Sequence, residues 1–288
     1  MAKYNFYFDV NTGFSDSITA LTEAYVTNLR VERPSSVNAS LNLISSRLPL
    51  NYELKNLREW NVDFALDLNT IHKLFKPILS QTTTGSSSPY THTFTPYTTS
   101  SVTLKAITFA VATPATTKYF KLAIPESIRV DYTAGELAKL TASGSSLAST
   151  TTKTLNSNAS PLYVYPHMSS NVYINGTSYN CVDASVTLST GFRPTYIVGS
   201  KDYGDFDNLL YNLSFNATFK ASSFMYDIVN SDDISFEISD GTYRINFVIT
   251  DPAKIYTRTI KAGDPDLIQI GGSNTQDFSI EVKNSVSS

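Results

Sequence analysis

One cysteine, Cys181, stands in 288 residues. A single thiol closes no intrachain disulfide and leaves no cysteine-based zinc site. Charge is scarce as well. Asp, Glu, Lys and Arg make up 16% of the chain, below the usual quarter, and the net charge is −3. No basic cluster of the kind that grips phosphates stands out, which argues against a sequence-reading nucleic-acid binder. The opening MAKYNFYFDV has no apolar run of signal-peptide length, and no stretch approaches a membrane span. These absences point to synthesis and folding in a cytoplasm, without membrane insertion.

Histidine is rare: His72, His92 and His167 are the three copies. The HExxH, GxSxG, P-loop and GxGxxG patterns are missing. A Ser/His/Asp triad assembles only in three dimensions, so spacing alone does not settle that question. Nothing in the sequence singles one out, and the chain reads as not an enzyme, with no catalytic residue, cofactor or metal. The acidic clusters at Asp202–Asn208 and Asn230–Asp233 do not follow calcium-loop spacing and read as solvated turns.

What is abundant is Ser and Thr, about a quarter of the chain, with 18 Tyr and 16 Phe. That mixture favours strands and turns over helices. Strands are expected at Tyr25–Glu32, Ser36–Ser46, Leu48–Leu57 and Trp60–Leu68, then at Val102–Ala112, Lys118–Pro125, Ser127–Thr133 and Cys181–Ser189. In WNVDFALDL, Trp60, Val62, Phe64, Leu66 and Leu68 alternate with short polar or small residues. This is the period of a half-buried strand. Ile71, Leu74, Phe75, Ile78 and Leu79 then mark one face of a short helix, with Thr70 as N-cap and Pro77 limiting its length. Gln81–Ser101 is nearly free of charge and aliphatic residues, and reads as a long loop or exposed hairpin.

The second half repeats the first. Tyr211–Phe219 (YNLSFNATF) matches Trp60–Leu68 at an offset of about 151, and Phe224, Met225, Ile228 and Val229 supply a second helical pattern. Further on, Phe120, Leu122 and Ile124 stand opposite Ile245, Phe247 and Ile249, and Pro125 opposite Pro252, at an offset of about 127. A duplication with one insertion, the length of the Gln81–Ser101 loop, accounts for both offsets. The expected layout is an N-terminal arm (1–20), a first β domain (21–150, with the loop 81–101), a linker (151–165) and a second β domain (166–288). The polar stretch Ala142–Ser160 reads as part of the linker region.

The polar edges of the two matching strands are unusual. Asn61, Asp63, Ala65 and Asp67, and likewise Asn212, Ser214, Asn216 and Thr218, are short side chains with no Lys or Arg among them. Such a row suits a smooth wall that does not grip a polyanion.

With these features the chain resembles the tail tube proteins of long-tailed bacteriophages and related viruses of archaea. The resemblance rests on WNVDFALDLNTIHKLFKPIL, the loop before VTLKAITFA, TAGELAKLTASG, SSNVYINGTSYNCVDASVTLSTG and QDFSIEVKN. It implies two tandem β-sandwich domains, each with a short flanking α-helix, contributing strands to the inner β-barrel of a ring. A chain with two such domains implies homotrimers that make pseudo-hexameric rings, with a true hexamer as the alternative. Stacked rings would form the conduit for double-stranded DNA during ejection, in a virion tail. Partners by analogy are tape-measure, tail terminator and baseplate proteins.

Under this resemblance Asn61, Asp63, Asp67, Asn212, Ser214, Asn216 and Thr218 are the candidate lumen lining. Thr82, Ser87, Tyr90, His92, Phe94 and Tyr97 mark a candidate inter-ring loop. The rival reading is a tandem β-sandwich binding module, for a carbohydrate or a receptor. A hydrolase on a β scaffold and a capsid jelly roll are weaker rivals.

Overall fold

In the computed structural model the chain is mainly β, with large curled sheets and, among the described residues, one short α-helix. The structure describes residues 4–32, 38–41, 50–53, 56–97, 104–133, 136, 138–158, 160–163, 171–179, 181–196, 200, 202–207, 211–220, 233–250, 257–260, 267–275 and 277–287.

The first strands are β1 (Asn5–Val10), β2 (Ala20–Ala24), β3 (Val26–Glu32), β4 (Asn38–Leu41), β5 (Leu50–Glu53) and β6 (Leu57–Ala65). Helix α1 (Leu68–Ile71) continues as a 3-10 turn, His72–Leu74. Then come β7 (Ser80–Thr84), β8 (Tyr90–Thr95), β9 (Ile107–Ala112), β10 (Thr117–Thr133), β11 (Lys139–Ser149) and β12 (Thr154–Asn156). The remainder holds β13 (Asn171–Ile174), β14 (Thr177–Tyr179), β15 (Cys181–Ser189), β16 (Arg193–Tyr196), β17 (Tyr203–Asp207) and β18 (Asn212–Lys220). Last are β19 (Ile234–Ser239), β20 (Arg244–Ile249), β21 (Thr257–Ile260), β22 (Leu267–Asn274) and β23 (Phe278–Asn284).

A ribbon of eight strands runs through the molecule in the order β3-β6-β11-β10-β15-β18-β22-β21, each antiparallel to its neighbours. One face of it is largely apolar. Trp60, Val62, Phe64, Leu140, Val130, Val186 and Phe215 are buried, each alternating with a polar neighbour. A second layer covers that face. Part of it, β12-β2-β1-β9, branches from the same sheet through the first half of β10, and the rest is the separate sheet β14-β13-β19-β20-β23-β8-β7.

The branch depends on a kink in β10. Thr117–Ala123 pairs with β9, whereas Ser127–Thr133 pairs with β15. Between them Leu122 has φ +52°, and the register with β11 shifts on both sides of Ile124 and Pro125. Pro125 contributes no N–H to a ladder, which suits it to this break. The kink is held from the second half of the chain. Thr190 donates its N–H to the Glu126 carbonyl at 2.8 Å, and the Tyr203 hydroxyl donates to the Leu122 carbonyl at 2.6 Å. A single bent strand thus serves both layers, where the sequence suggested two strands, Lys118–Pro125 and Ser127–Thr133.

Several other expectations need correction. Within the arm expected over residues 1–20, Phe6 and Phe8 are buried and β1 lies between β2 and β9. Alternation of aromatic and polar residues drives this stretch into the core. Most of the polar stretch Ala142–Ser160 is structured. Residues up to Ser149 belong to β11, and β12 lies parallel to β2 within the expected linker. Ser146 there is buried and bonded to the Arg58 carbonyl, so small polar side chains are tucked in rather than solvated. Helix α1 is capped by Asp67, not Thr70, and is shorter than its apolar periodicity implied. Asp202–Asn208 is largely strand β17 rather than a turn. The helical pattern at Phe224, Met225, Ile228 and Val229 lies outside the described residues.

Candidate functional site

The outward face of the ribbon is polar from one end to the other. Residues directly opposite one another in antiparallel strands share a face. One row across it reads Asn28, Asp63, Thr141, Arg129, Thr187, Ser214, Ser273. The row beside it reads Arg30, Asn61, Ser143, Ser127, Ser189, Asn212, and the third reads Ala65, Lys139, Asp131, Ser185, Asn216, Gly271. Asn61, Asp63, Asn212, Ser214 and Asn216 therefore lie on one continuous surface, although up to 155 residues separate them.

Two of the seven candidates do not belong to that surface as free groups. Asp67 is buried at 2% exposure. Its carboxylate accepts from the Asn69 N–H at 3.1 Å, the Thr70 hydroxyl at 2.6 Å, the Leu162 N–H at 2.7 Å and the Asn158 amide at 2.8 Å. It caps α1 and fastens the segment around Leu162. The alternation that places Trp60–Phe64 ends at Ala65, so parity no longer tells which way Asp67 points. Thr218 is on the polar side but covered, its hydroxyl donating to Asp183 at 2.8 Å.

The face also carries cations that the two matching strands do not supply. Among the residues whose side chains the structure describes these are Arg30, Arg129 and Lys139, beside the carboxylates Glu32, Glu59, Asp63, Asp131 and Asp183. Each cation sits by an acid. Arg30 meets Glu32 at 2.6 Å, Arg129 meets Asp131 at 2.7 Å, and Lys139 stands directly opposite Asp131. Thr141 donates to Asp63 at 2.8 Å. The surface is thus weakly acidic and internally neutralised. Arg30, Arg129 and Lys139 stand on β3, β10 and β11, which is why the stretches Trp60–Leu68 and Tyr211–Phe219 did not reveal them.

Within the stretch 81–101, β7 and β8 form a hairpin fastened to the second half of the chain, and residues 98–101 lie outside the described residues. Strand β8 pairs with β23, with His92 opposite Val282 and Phe94 opposite Ile280. His92 and Phe94 are buried, so neither is a surface group of the expected loop. Tyr90 and Tyr97 are half-buried, and Thr82 and Ser87 remain exposed near the hairpin tip. The alternation Thr91-His92-Thr93-Phe94-Thr95 was the readable sign of a strand with one buried face.

The hairpin brings His92 onto His72. The two rings stack with centroids 4.8 Å apart and planes 13° from parallel, and both residues are fully buried. Asn284 ties them together. Its Oδ1 lies 3.1 Å from His92 Nε2, and its Nδ2 lies 3.2 Å from His72 Nδ1 and donates to the Leu68 carbonyl at 3.0 Å. His92 Nδ1 also meets Gln81 and Thr83, while His72 Nε2 has no partner. Burial, then the nearby Lys76, holds the His72 pKa well below the ordinary histidine value, and burial also lowers that of His92. This cluster locks the hairpin, α1 and the C-terminal strand together. His167 lies outside the described residues.

Among the described residues no group of three or more His, Cys, Asp or Glu is placed to hold a metal ion, and no helix is long and apolar enough to cross a membrane. No protein-family model matches the chain, and no curated protein matches it.

Proposed function

We propose that this chain is a structural virion protein: a tail tube subunit that assembles into stacked rings around a passage for double-stranded DNA. One observation carries the reading. The ribbon is two copies of one strand order set side by side. The run β3-β6-β11-β10 is followed by β15-β18-β22-β21, with β15 in the role of β3 and β21 in that of β10. The covering layer follows suit, β2-β1-β9-β10 in one half and β14-β13-β19-β20 in the other. Phe109 stacks on Phe120 at 4.7 Å, and Phe236 stacks on Phe247 at 6.5 Å, at the same relative positions.

Inside the chain the two copies join where β10 pairs with β15. The matching outer edges, β3 and β21, have no strand beyond them among the described residues. A bare edge is a template for further pairing, and only closure removes it. If β21 of one chain meets β3 of the next as β10 meets β15, the repeat closes into a ring of like halves. Three chains would give a pseudo-hexameric ring, with the polar face of the ribbon inward. A wall of short, neutralised polar groups makes few of the phosphate contacts that dominate nucleic-acid affinity, so DNA would slide past without specific binding. Stacking of rings, and contacts with tape-measure, terminator and baseplate proteins, belong to the same proposal.

Electron microscopy of the purified chain tests it. Hollow rings or tubes with near-sixfold symmetry are expected. Single particles of one chain's mass at every concentration would end the tube reading and favour a tandem binding module.

A further inference from the structure

Residues 68–79 belong to the first half of the chain, yet they cover the second. Phe75 meets Phe247 edge-on at 6.4 Å, and the Tyr211 hydroxyl donates to the Ile78 carbonyl at 2.5 Å. Strand β8 then lies along β23, with Phe94 opposite Ile280. The internal repeat shows what corresponds to this seat on the first half. Phe247 stands opposite Ile280; strand order makes Phe120 its counterpart, two residues from the Leu122 that sequence spacing set against it, and Phe120 stands opposite Ala148. There, the same positions line an open groove of about 820 Å³, floored by Leu29, Val31, Val111 and Phe120. Strand β6 pairs with β11 only as far as Leu147, so the far edge of Ala148 borders the groove where Ile280 is covered by β8.

We propose that this groove seats a second copy of the chain, through residues 221–232, which follow β18 as 68–79 follow β6. The inference rests on the ring reading and adds a contact to it. Three features of the chain support the occupant. Phe224, Met225, Ile228 and Val229 repeat the spacing of Leu74, Phe75, Ile78 and Leu79. Lys118 lines the groove, while 221–232 carries Asp227 and Asp232 and no cation. The groove also adjoins β3, at one end of the ribbon, whereas β18 is separated from β6 by β15, β10 and β11. In sequence, residues 221–232 follow a strand on the β21 side of the ribbon, and the groove lies on the β3 side.

The test places one cysteine in the groove and one in the stretch. In a Cys181→Ala background, chains carrying Val111→Cys are mixed with chains carrying Ile228→Cys, assembled, and treated with a short bismaleimide. A cross-linked dimer only in the mixture, mapped by peptide mass spectrometry to the two introduced thiols, is the expected result. The double variant should give a ladder up to a closed ring. Rings in the microscope without the cross-link, or a cross-link only within one chain, would overturn the groove assignment and leave the ring reading intact. Cross-linked chains without rings would sustain the groove and sink the ring. A monomer with neither would end both. In a second variant, Val111→Arg should abolish assembly while the thermal melt of the chain is retained. Unchanged assembly would count against the groove.

Discussion

Gly144 lies on β11 opposite Pro125, at the kink where β10 leaves β9 for β15. A Cβ at this position would stand 2.0 Å from the Ile124 carbonyl oxygen and 3.0 Å from its carbon. An ordinary contact of that kind needs more than an ångström of additional space. The obstacle is backbone on a clamped strand, bonded to Thr190 and Tyr203, so neither side can swing away as a flexible side chain would. Gly144→Ala should therefore cost about 1–3 kcal/mol through forced backbone movement. A stiffer unfolded chain offsets roughly 0.4–1 kcal/mol of this. A net loss of about 2 kcal/mol corresponds to a fall in Tm of roughly 4–8 °C for a chain of this size. Thermal unfolding followed by circular dichroism measures it. Gly13→Ala is the control, since nothing lies within 4 Å of a Cβ there. A Gly144→Ala protein that melts with the wild type would refute the kink as the device that lets one strand serve two layers.

The His72–His92 stack should make the fold acid-sensitive. The folded His72 binds its proton more weakly than the unfolded one, so the unfolded state alone gains a proton as pH falls below about 6.5. Stability is then lost at up to about 1.4 kcal/mol per pH unit from His72, with His92 acting in the same direction. Urea titrations between pH 7 and 5 should show that slope, and a folded His72→Gln variant should flatten it; an equal slope in both would refute the assignment. Asp67→Ala removes a helix cap and four hydrogen bonds to a buried carboxylate, and should cost about 2–4 kcal/mol in denaturant unfolding. Asn216→Lys, on the exposed polar face, should leave the melt within about 0.5 kcal/mol of wild type. If the chain assembles as proposed, the same substitution should make the tubes retain duplex DNA at low salt, as read by co-sedimentation.

Alternation of apolar and polar residues is a local property, and it was enough to identify β6, β15 and β18 and the buried side of each. Parity along those strands also told which residues share the opposite face, so Asn61, Asp63, Asn212, Ser214 and Asn216 were found together. The match between Trp60–Leu68 and Tyr211–Phe219 reflects the same alternation in β6 and β18, whereas the match of Phe120 with Ile245 is two residues from the Phe247 that holds the like place in the strand order. Parity fails where a strand ends or bends, which is why Asp67 was assigned to a surface it does not reach and β10 was divided in two. Pairing between distant segments is decided by which edge is vacant and which surface is left uncovered, and no local pattern encodes that. Only the tertiary structure could put the β7–β8 hairpin on β23, stack His92 on His72, and set Arg129 and Lys139 among the acids. Each of these depends on a neighbour supplied by another strand, and the neighbour is chosen by packing of the whole chain.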